Sequence, residues 1–398
     1  MPRKMSRKNV TPHCPFNLPG TKFIFIAAAV LISALTGCIL KRGPSVESTL
    51  RFVSIVHRHG DRTPIFSYPL DPYKEESFWP EGLGNLLQVG KIRMYKFGRF
   101  LRRRYDGFIS SKYLAAETHV ISSARDRCMM SAELVLAGFY LPNGIQIWNQ
   151  DLPWQLIPVH SLPPASDDML HNTKYCWLLS KETEKWNIFL NKEVDNNQKV
   201  FSYLSRNTGF QCKTIKDIDD IRDNLDVVRQ RGLPLPEWAQ GVYPDKIHSL
   251  SKLKYLHLNQ SSIMIKLYTG VLINEILTNM QRKLNSTDSF DRRLHLYSAH
   301  DSTLVGLWRG MNFSQEIKAL PSYAAALIFE LHEIEDKCFV KILYKKGTFD
   351  DELSVLTIRG CENSLPSEPD GMCDLDTFSS VLQPMMITDF DEACQNPR

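Results

Sequence analysis

The sequence predicts an α/β fold, and three observations carry that prediction. The run Arg51-Phe52-Val53-Ser54-Ile55-Val56-His57 is rich in β-branched and aromatic residues, with one polar interruption at Ser54, and reads as a buried strand. A second strand, 293–298, ends at Ala299-His300-Asp301 and runs straight into a helix over 302–310. Stretches with one apolar helical face lie between and beside them, notably 82–104, 125–138 and 262–284. In folds of this class, ligands bind at the carboxyl ends of strands. Both strand ends carry polar residues, so both are candidate sites.

The first strand cannot continue past residue 59. Gly60 permits a tight turn and Pro64 removes a backbone donor. Arg58, His59 and Arg62 therefore sit where a strand gives way to a loop. Each guanidinium is a planar fork of donors suited to phosphate oxygens. Their charges also disfavour an imidazolium, so His59 is expected to be neutral. A neutral imidazole between two anion-binding groups is equipped to attack phosphorus and form a phosphohistidine. The pattern Arg-His-Gly-x-Arg-x-Pro fixes five positions. At about one residue in twenty for each, its chance occurrence in such a chain is on the order of one in ten thousand.

The remaining elements follow in order. In 82–104, Leu86, Val89, Met94, Phe97, Phe100 and Leu101 approximate one helical face, and Arg102–Arg104 reads as the solvated basic end of that helix. Residues 118–123 read as a short strand. Ser123 with Asp126 forms a capping-box pattern for helix 125–138, which carries Cys128 as a buried mid-helix thiol. Residues 148–164 are rich in Trp and Pro and read as extended loop. The segment 165–255 is more polar, with helical stretches near 180–205 and 215–230, and reads as a mostly helical insertion capping the strand-end edge. Helix 262–284 presents Ile265, Leu272, Ile276 and Met280, and 324–333 with 338–345 reads as a strand pair. At the second strand end, a carboxylate near a bound phosphate has a raised pKa and can protonate a leaving alcohol, which makes Asp301 a candidate general acid. The plainer alternative is that Asp301 caps the following helix.

The net charge of +4 comes from the N-terminus. Residues 1–40 hold five basic and no acidic residues, and without them 43 basic residues face 44 acidic ones, so nothing points to a nucleic-acid partner. The uncharged apolar run 23–40 behind that basic flank reads either as a cleaved secretory signal or as a signal anchor tethering the chain to a membrane. Either reading makes 1–43 a leader and sends 47–398 to the lumen or exterior; no second span is expected near the C-terminus. Sequons at Asn259, Asn285 and Asn312 agree with export, whereas Asn9 precedes the apolar run and is expected to stay unmodified. Cys361 and Cys373 bracket a Pro- and Gly-containing loop whose closure adds roughly 3 kcal/mol on the entropic account. There is no Cys-x-x-Cys spacing, so neither zinc nor another cofactor is expected.

The stretch Arg58-His59-Gly60-Asp61-Arg62-Thr63-Pro64 resembles the signature of the histidine acid phosphatases, the branch-two histidine phosphatases, in the form found in lysosomal, prostatic and insect members. The resemblance covers nearly everything after residue 47. It implies a three-layer α/β sandwich of the phosphoglycerate-mutase type with a helical cap, acting on small phosphate monoesters. It further implies His59 as nucleophile, Arg58, Arg62 and His300 as phosphate ligands, and Asp301 as general acid. It also implies a Cys176–Cys394 disulfide and, for Trp154–His160, a place at a homodimer interface. A further family disulfide is not reproduced, because its second member falls at Ala326; Cys212 with Cys338 is the alternative pair. The sharpest departure is Ile121, which occupies the position of a third phosphate-binding Arg. Arg125 is the candidate stand-in, in the first turn of a helix whose N-terminus faces the anion. The alternatives are a phytase-like or lysophosphatidate-type phosphatase, set by the cap, and a secreted binding protein without turnover.

Overall fold

The computed structural model describes residues 49–171, 174–285, 290–316, 320–362 and 371–395, without the side chains of 256–260. The leader 1–43, Asn9 and the Asn259 side chain lie outside the described residues. Asn285 and Asn312 are exposed.

In chain order the elements are strand β1 (Leu50–Arg58), helix α1 (Gln88–Arg104), β2 (Thr118–Ser122), α2 (Asp126–Phe139), α3 (Trp177–Asn196), α4 (Gln198–Thr208), α5 (Ile215–Gln230), α6 (Asp245–Gln260), α7 (Ser262–Leu284), β3 (Leu294–Ala299), α8 (Asp301–Gly310), β4 (Ala326–Ile334), β5 (Lys337–Lys345), β6 (Ser354–Leu356), β7 (Met372–Asp374), α9 (Leu375–Leu382) and α10 (Phe390–Cys394). The strands form one sheet in the order β2-β3-β1-β4-β5-β6, with β7 also pairing β5. Strands β2, β3 and β1 run parallel, and β4 and β5 continue antiparallel.

Strand β1 is central and covered on both faces, which is why it reads as a continuous apolar run and not an alternation. Val53 and Ile55 pack with Met94 and Phe97 of α1 and Val135 of α2 on one side. Phe52 and Val56 pack with Ile276 of α7, Leu304 of α8 and Phe378 of α9 on the other. Each fully buried side chain of this kind contributes about 2 kcal/mol before entropy is charged against it. The result is the three-layer α/β sandwich. Helices α3–α6 build a separate small core around Phe201, Leu204, Ile218 and Leu225.

Several expectations are corrected. The first helix starts at Gln88, not near residue 82. Gly82 and Gly84 have φ of +79° and +77°, and this segment instead pairs with the loop after β1, through Thr63 N–Asn85 O and Gly84 N–Pro64 O. Of the basic run, only Arg103 is a solvated end. Arg104 forks onto Glu330 of β4 at 2.8 and 2.9 Å, and Arg102 donates to the carbonyls of Tyr105, Ile109 and Ser110. A buried carboxylate needs a counter-ion, and nothing local to residues 102–104 reveals Glu330. The insertion holds two helices, α3 and α4, where one stretch was expected. It also holds α6, whose narrow apolar stripe of Ile247 and Leu250 carries little periodic signal. Trp154 is half-buried at the surface. Cys176–Cys394 ties the start of α3 to α10, and Cys361–Cys373 closes its loop. Cys212, in the cap core, and Cys338, on β5, are free thiols, so the alternative pair is not made.

Candidate active site

Parallel pairing of β1 with β3 sets His57 against Ser298 and Arg58 against Ala299. The two strand ends therefore finish side by side. The His59 amide donates to the Ala299 carbonyl at 3.1 Å, and the His59 and His300 rings meet edge to face at 5.6 Å. Residues far apart in sequence thus form one cluster. Gly60 is required for close approach and not for a special φ. A Cβ there would lie 2.8 Å from Gly90 O, and a Cβ on Gly90 would lie 2.1 Å from Asp61 O. The loop is pressed onto α1 and pinned by Asp61–Arg93 at 2.6 Å.

His59 is buried. Its Nδ1 donates to the Gly60 carbonyl at 2.9 Å, which leaves the Nε2 lone pair facing the cluster. Burial, then the charges of Arg58, His300, Arg127 and Arg62, hold its pKa well below that of ordinary histidine. The imidazole is therefore held toward its neutral form.

Arg58 donates to Asp301 Oδ2 at 2.8 Å and to Pro321 O at 2.7 Å, and its guanidinium stacks over Tyr323 at 4.2 Å. Arg62 forks onto Asp223 of α5 at 2.9 and 2.8 Å, so a cap residue anchors a motif residue. The Nε of Arg58 and the Nε of Arg62 are both buried without a hydrogen-bond partner. An unsatisfied buried donor is costly, and two of them in one cluster suit an anion. Asp301 is the first residue of α8, and its cap is His300, so the plain capping role falls to the histidine. Burial pushes the Asp301 carboxyl up, but Arg58, His300 and Arg62 outweigh it and hold it well below the usual range. The raised pKa expected beside a phosphate is thus not a property of the free enzyme. A bound dianion that engaged Arg58 and repelled Asp301 would push the carboxyl back up.

Helix α2 begins at Asp126 with Arg125 as its N-cap, and Ser123 does not cap it. Ser123 Oγ instead bonds His300 Nε2 at 3.0 Å and fixes that ring. Ile121 packs its side chain against the larger core. Arg125 is not in the first turn, and it is exposed. The guanidinium that reaches the His59 ring belongs to Arg127, whose Nε donates to His59 Nε2 at 3.1 Å. Cys128 is near the helix start and not mid-helix, with Sγ 3.6 Å from His300 Nε2, and burial pushes its thiol up to about 12. Sequence reading missed Arg127, Asp223, Ser123 and His171, whose ring lies 4.3 Å from that of His300. Arg127 had a signal, being the second Arg of the resembled pattern Arg-Ser-x-x-x-x-Arg, whose first Arg falls at Ile121. Asp223 and His171 had none. A cavity of about 430 Å³ opens from Arg58, Asp301 and Tyr323 toward α5 and α6.

A neutral histidine among guanidiniums at adjacent parallel strand ends, beside a helical cap, defines a phosphoryl-transfer class that works through histidine. Comparison with known proteins gives the family. The histidine phosphatase superfamily (branch 2) matches residues 49–345, and the chain belongs to it. It is 34% identical over 379 residues to lysosomal acid phosphatase of Rattus norvegicus, covering 92% of this chain and 85% of that protein. It is 35% identical over 353 residues to prostatic acid phosphatase of Bos taurus, covering 87% of each. Among solved structures, Hafnia alvei phytase superposes with a TM-score of 0.65 at 17% identity, over 89% of this chain and 100% of that one, and it supports the fold.

Proposed function

We propose that the protein is an acid phosphatase that hydrolyses phosphate monoesters through a phosphohistidine at His59. The observation that carries this reading is the nucleophile itself, with Nδ1 tied to the Gly60 carbonyl and Nε2 turned toward Arg127 beside Arg58. Arg58, Arg62, Arg127 and His300 hold the phosphoryl oxygens. We assign the third guanidinium to Arg127, with Arg125 at the exposed mouth. His59 Nε2 attacks phosphorus in line, the P–O bond to the leaving group breaks, and Asp301 delivers its proton to the departing oxygen. Water then attacks phosphorus, the Asp301 carboxylate takes its proton, the P–N bond breaks, and phosphate leaves. The depressed His59 pKa explains an acidic optimum: the base stays neutral at a pH where Asp301, beside bound phosphate, is protonated.

Two disulfides agree with an oxidising compartment, as does the expected leader, and we place the body in a lumen or outside the cell. No helix among the described residues is long and apolar enough to cross a membrane, so a tether would rest on 23–40. Exposed Trp148, Leu152 and Leu156, beside the segment that bridges edge strand β2 at His160, support a homodimer.

The test is acid quenching with labelled substrate. Wild type should hold phosphate on histidine and His59→Ala none; label retained by the mutant would overturn the assignment. The second reading, a binding protein, rests on Ile121. It wins if wild type turns over no aryl phosphate at any pH and Ile121→Arg restores turnover.

A further inference from the structure

The cavity beside Asp301 carries an imbalance of charge that hydrolysis of a simple monoester does not use. Three carboxylates line it, and each already has an arginine. Asp301 is held by Arg58 at 2.8 Å, Asp223 by Arg62 at 2.8 Å, and Asp226 by Arg222 at 2.6 Å. Three further cations line the same cavity: Arg229 of α5, Lys252 of α6 and Arg309 of α8. Among the described residues none of these three has a carboxylate partner.

Arg309 is the informative one. Arg229 and Lys252 are exposed and can be solvated where they stand, and Arg229 also lies over the Tyr243 ring. The Arg309 side chain is only partly exposed, and its Nε is buried without a hydrogen-bond partner. Leaving a charged donor partly desolvated with no counter-charge is unfavourable. On α8, Asp301, Val305 and Arg309 stand at i, i+4 and i+8 and line one wall of the cavity. The Arg309 backbone is about 12 Å along the helix from Asp301, and its side chain leans back toward the helix N-terminus, so its charge lies nearer the reacting phosphate than that.

We infer that the cavity is a leaving-group subsite for a second anion, so that preferred substrates are phosphomonoesters whose alcohol portion carries another phosphate or carboxylate, paired with Arg309 and flanked by Lys252 and Arg229. This rests on the phosphatase reading and adds a substrate class to it. The cap adds to the preference, because α5 and α6 supply the two flanking cations. The second anion sits roughly 8 Å from the scissile phosphorus by the helix rise and side-chain lean, a span of about three to four methylene groups once the ester oxygens are counted.

The test uses alkanediol bisphosphates with two to eight methylenes, the ω-carboxyalkyl phosphates of the same lengths, and the ω-hydroxyalkyl phosphates as neutral partners. The quantity read is the ratio of kcat/KM for the anionic compound to that for its neutral partner. In wild type it should rise at least about tenfold at an intermediate length and fall with salt. It should collapse toward unity in Arg309→Met and in Arg309→Gln, and fall less in Lys252→Met. The bisphosphate and carboxylate arms separate a phosphate-specific subsite from a general anion subsite. A ratio near unity at every length in wild type, or one unchanged in both Arg309 variants, overturns the inference. If wild type turns over no compound in the set, the phosphatase reading is what fails. Calorimetric binding of the bisphosphate against the hydroxyalkyl phosphate then decides the subsite, with loss of the difference in Arg309→Met expected and its retention fatal.

Discussion

The turn after β1 and the turn after β2 face the same imidazole and solve the same problem differently. After β1 the sequence pattern is intact. Arg58 comes from the strand end and Arg62 from the loop, and each is held by a carboxylate from another element, Asp301 or Asp223. Near the end of β2 the position that resembles a phosphate-binding Arg is Ile121, which is partly buried and packs against the apolar core. Arg127 from the first turn of α2 brings a guanidinium to His59 instead. The difference teaches that the guanidinium facing His59 is placed by the fold and not by the strand position alone. A long side chain on a helix start can reach that point when a strand residue does not.

That comparison can be broken or sharpened by mutation. The largest effect is expected at Asp301. Asp301→Asn should lower kcat on alkyl phosphates by about a thousandfold and on aryl phosphates far less, since aryl leaving groups need little protonation. Equal losses would remove Asp301 from the general-acid role. With wild type, activity should fall as pH rises and Asp301 beside bound phosphate loses its proton, while the depressed His59 pKa delays the acid-side loss.

Arg127→Ala comes next, with a loss of about a hundredfold in kcat/KM, the worth of one charge-assisted donor in a transition state. Arg125→Ala, at the exposed N-cap, should cost less than about threefold. A tenfold loss in the second with none in the first would return the role to Arg125.

The first turn can be tested through its anchor. Asp223→Ala strands the buried Arg62 charge and should cost about 3 kcal/mol in denaturant unfolding. Burial raises the Asp223 pKa, but Arg62 and Arg222 outweigh it and the folded value lies below 3.8. The stabilisation is therefore complete above that pH and fades as pH falls through the folded value, so the gap between wild type and mutant should narrow in strong acid. A gap that widens there would contradict the pairing.

The smallest effect is expected for Ile121→Arg. With Arg127 already beside His59, a restored charge should change kcat/KM by less than about tenfold, at some loss of melting temperature from disturbing the core contact. A gain of a hundredfold would mean that Arg127 supplies nothing.

Much of this was legible in the sequence because it is local. The buried run of β1, the break after His59, the passage from β3 into α8 and the apolar face of α7 are set by residues next to one another. The motif placed His59, Arg58 and Arg62 at a strand end, and the second strand end supplied His300 and Asp301. The Cys361–Cys373 loop was readable for the same reason. Tertiary structure alone decided the rest, because it depends on which distant groups share a low-dielectric space. Parallel register set Arg58 beside Ala299 and so joined the two halves of the site. Burial of Glu330 turned the end of α1 into an ion pair. The cap brought Asp223 to Arg62. The turn after β2 brought Arg127 to His59 and Ser123 to the ring of His300. Local sequence fixes which conformations each segment can adopt; only the packed chain settles which charges must neutralise one another, since the cost of leaving one unpaired arises on burial.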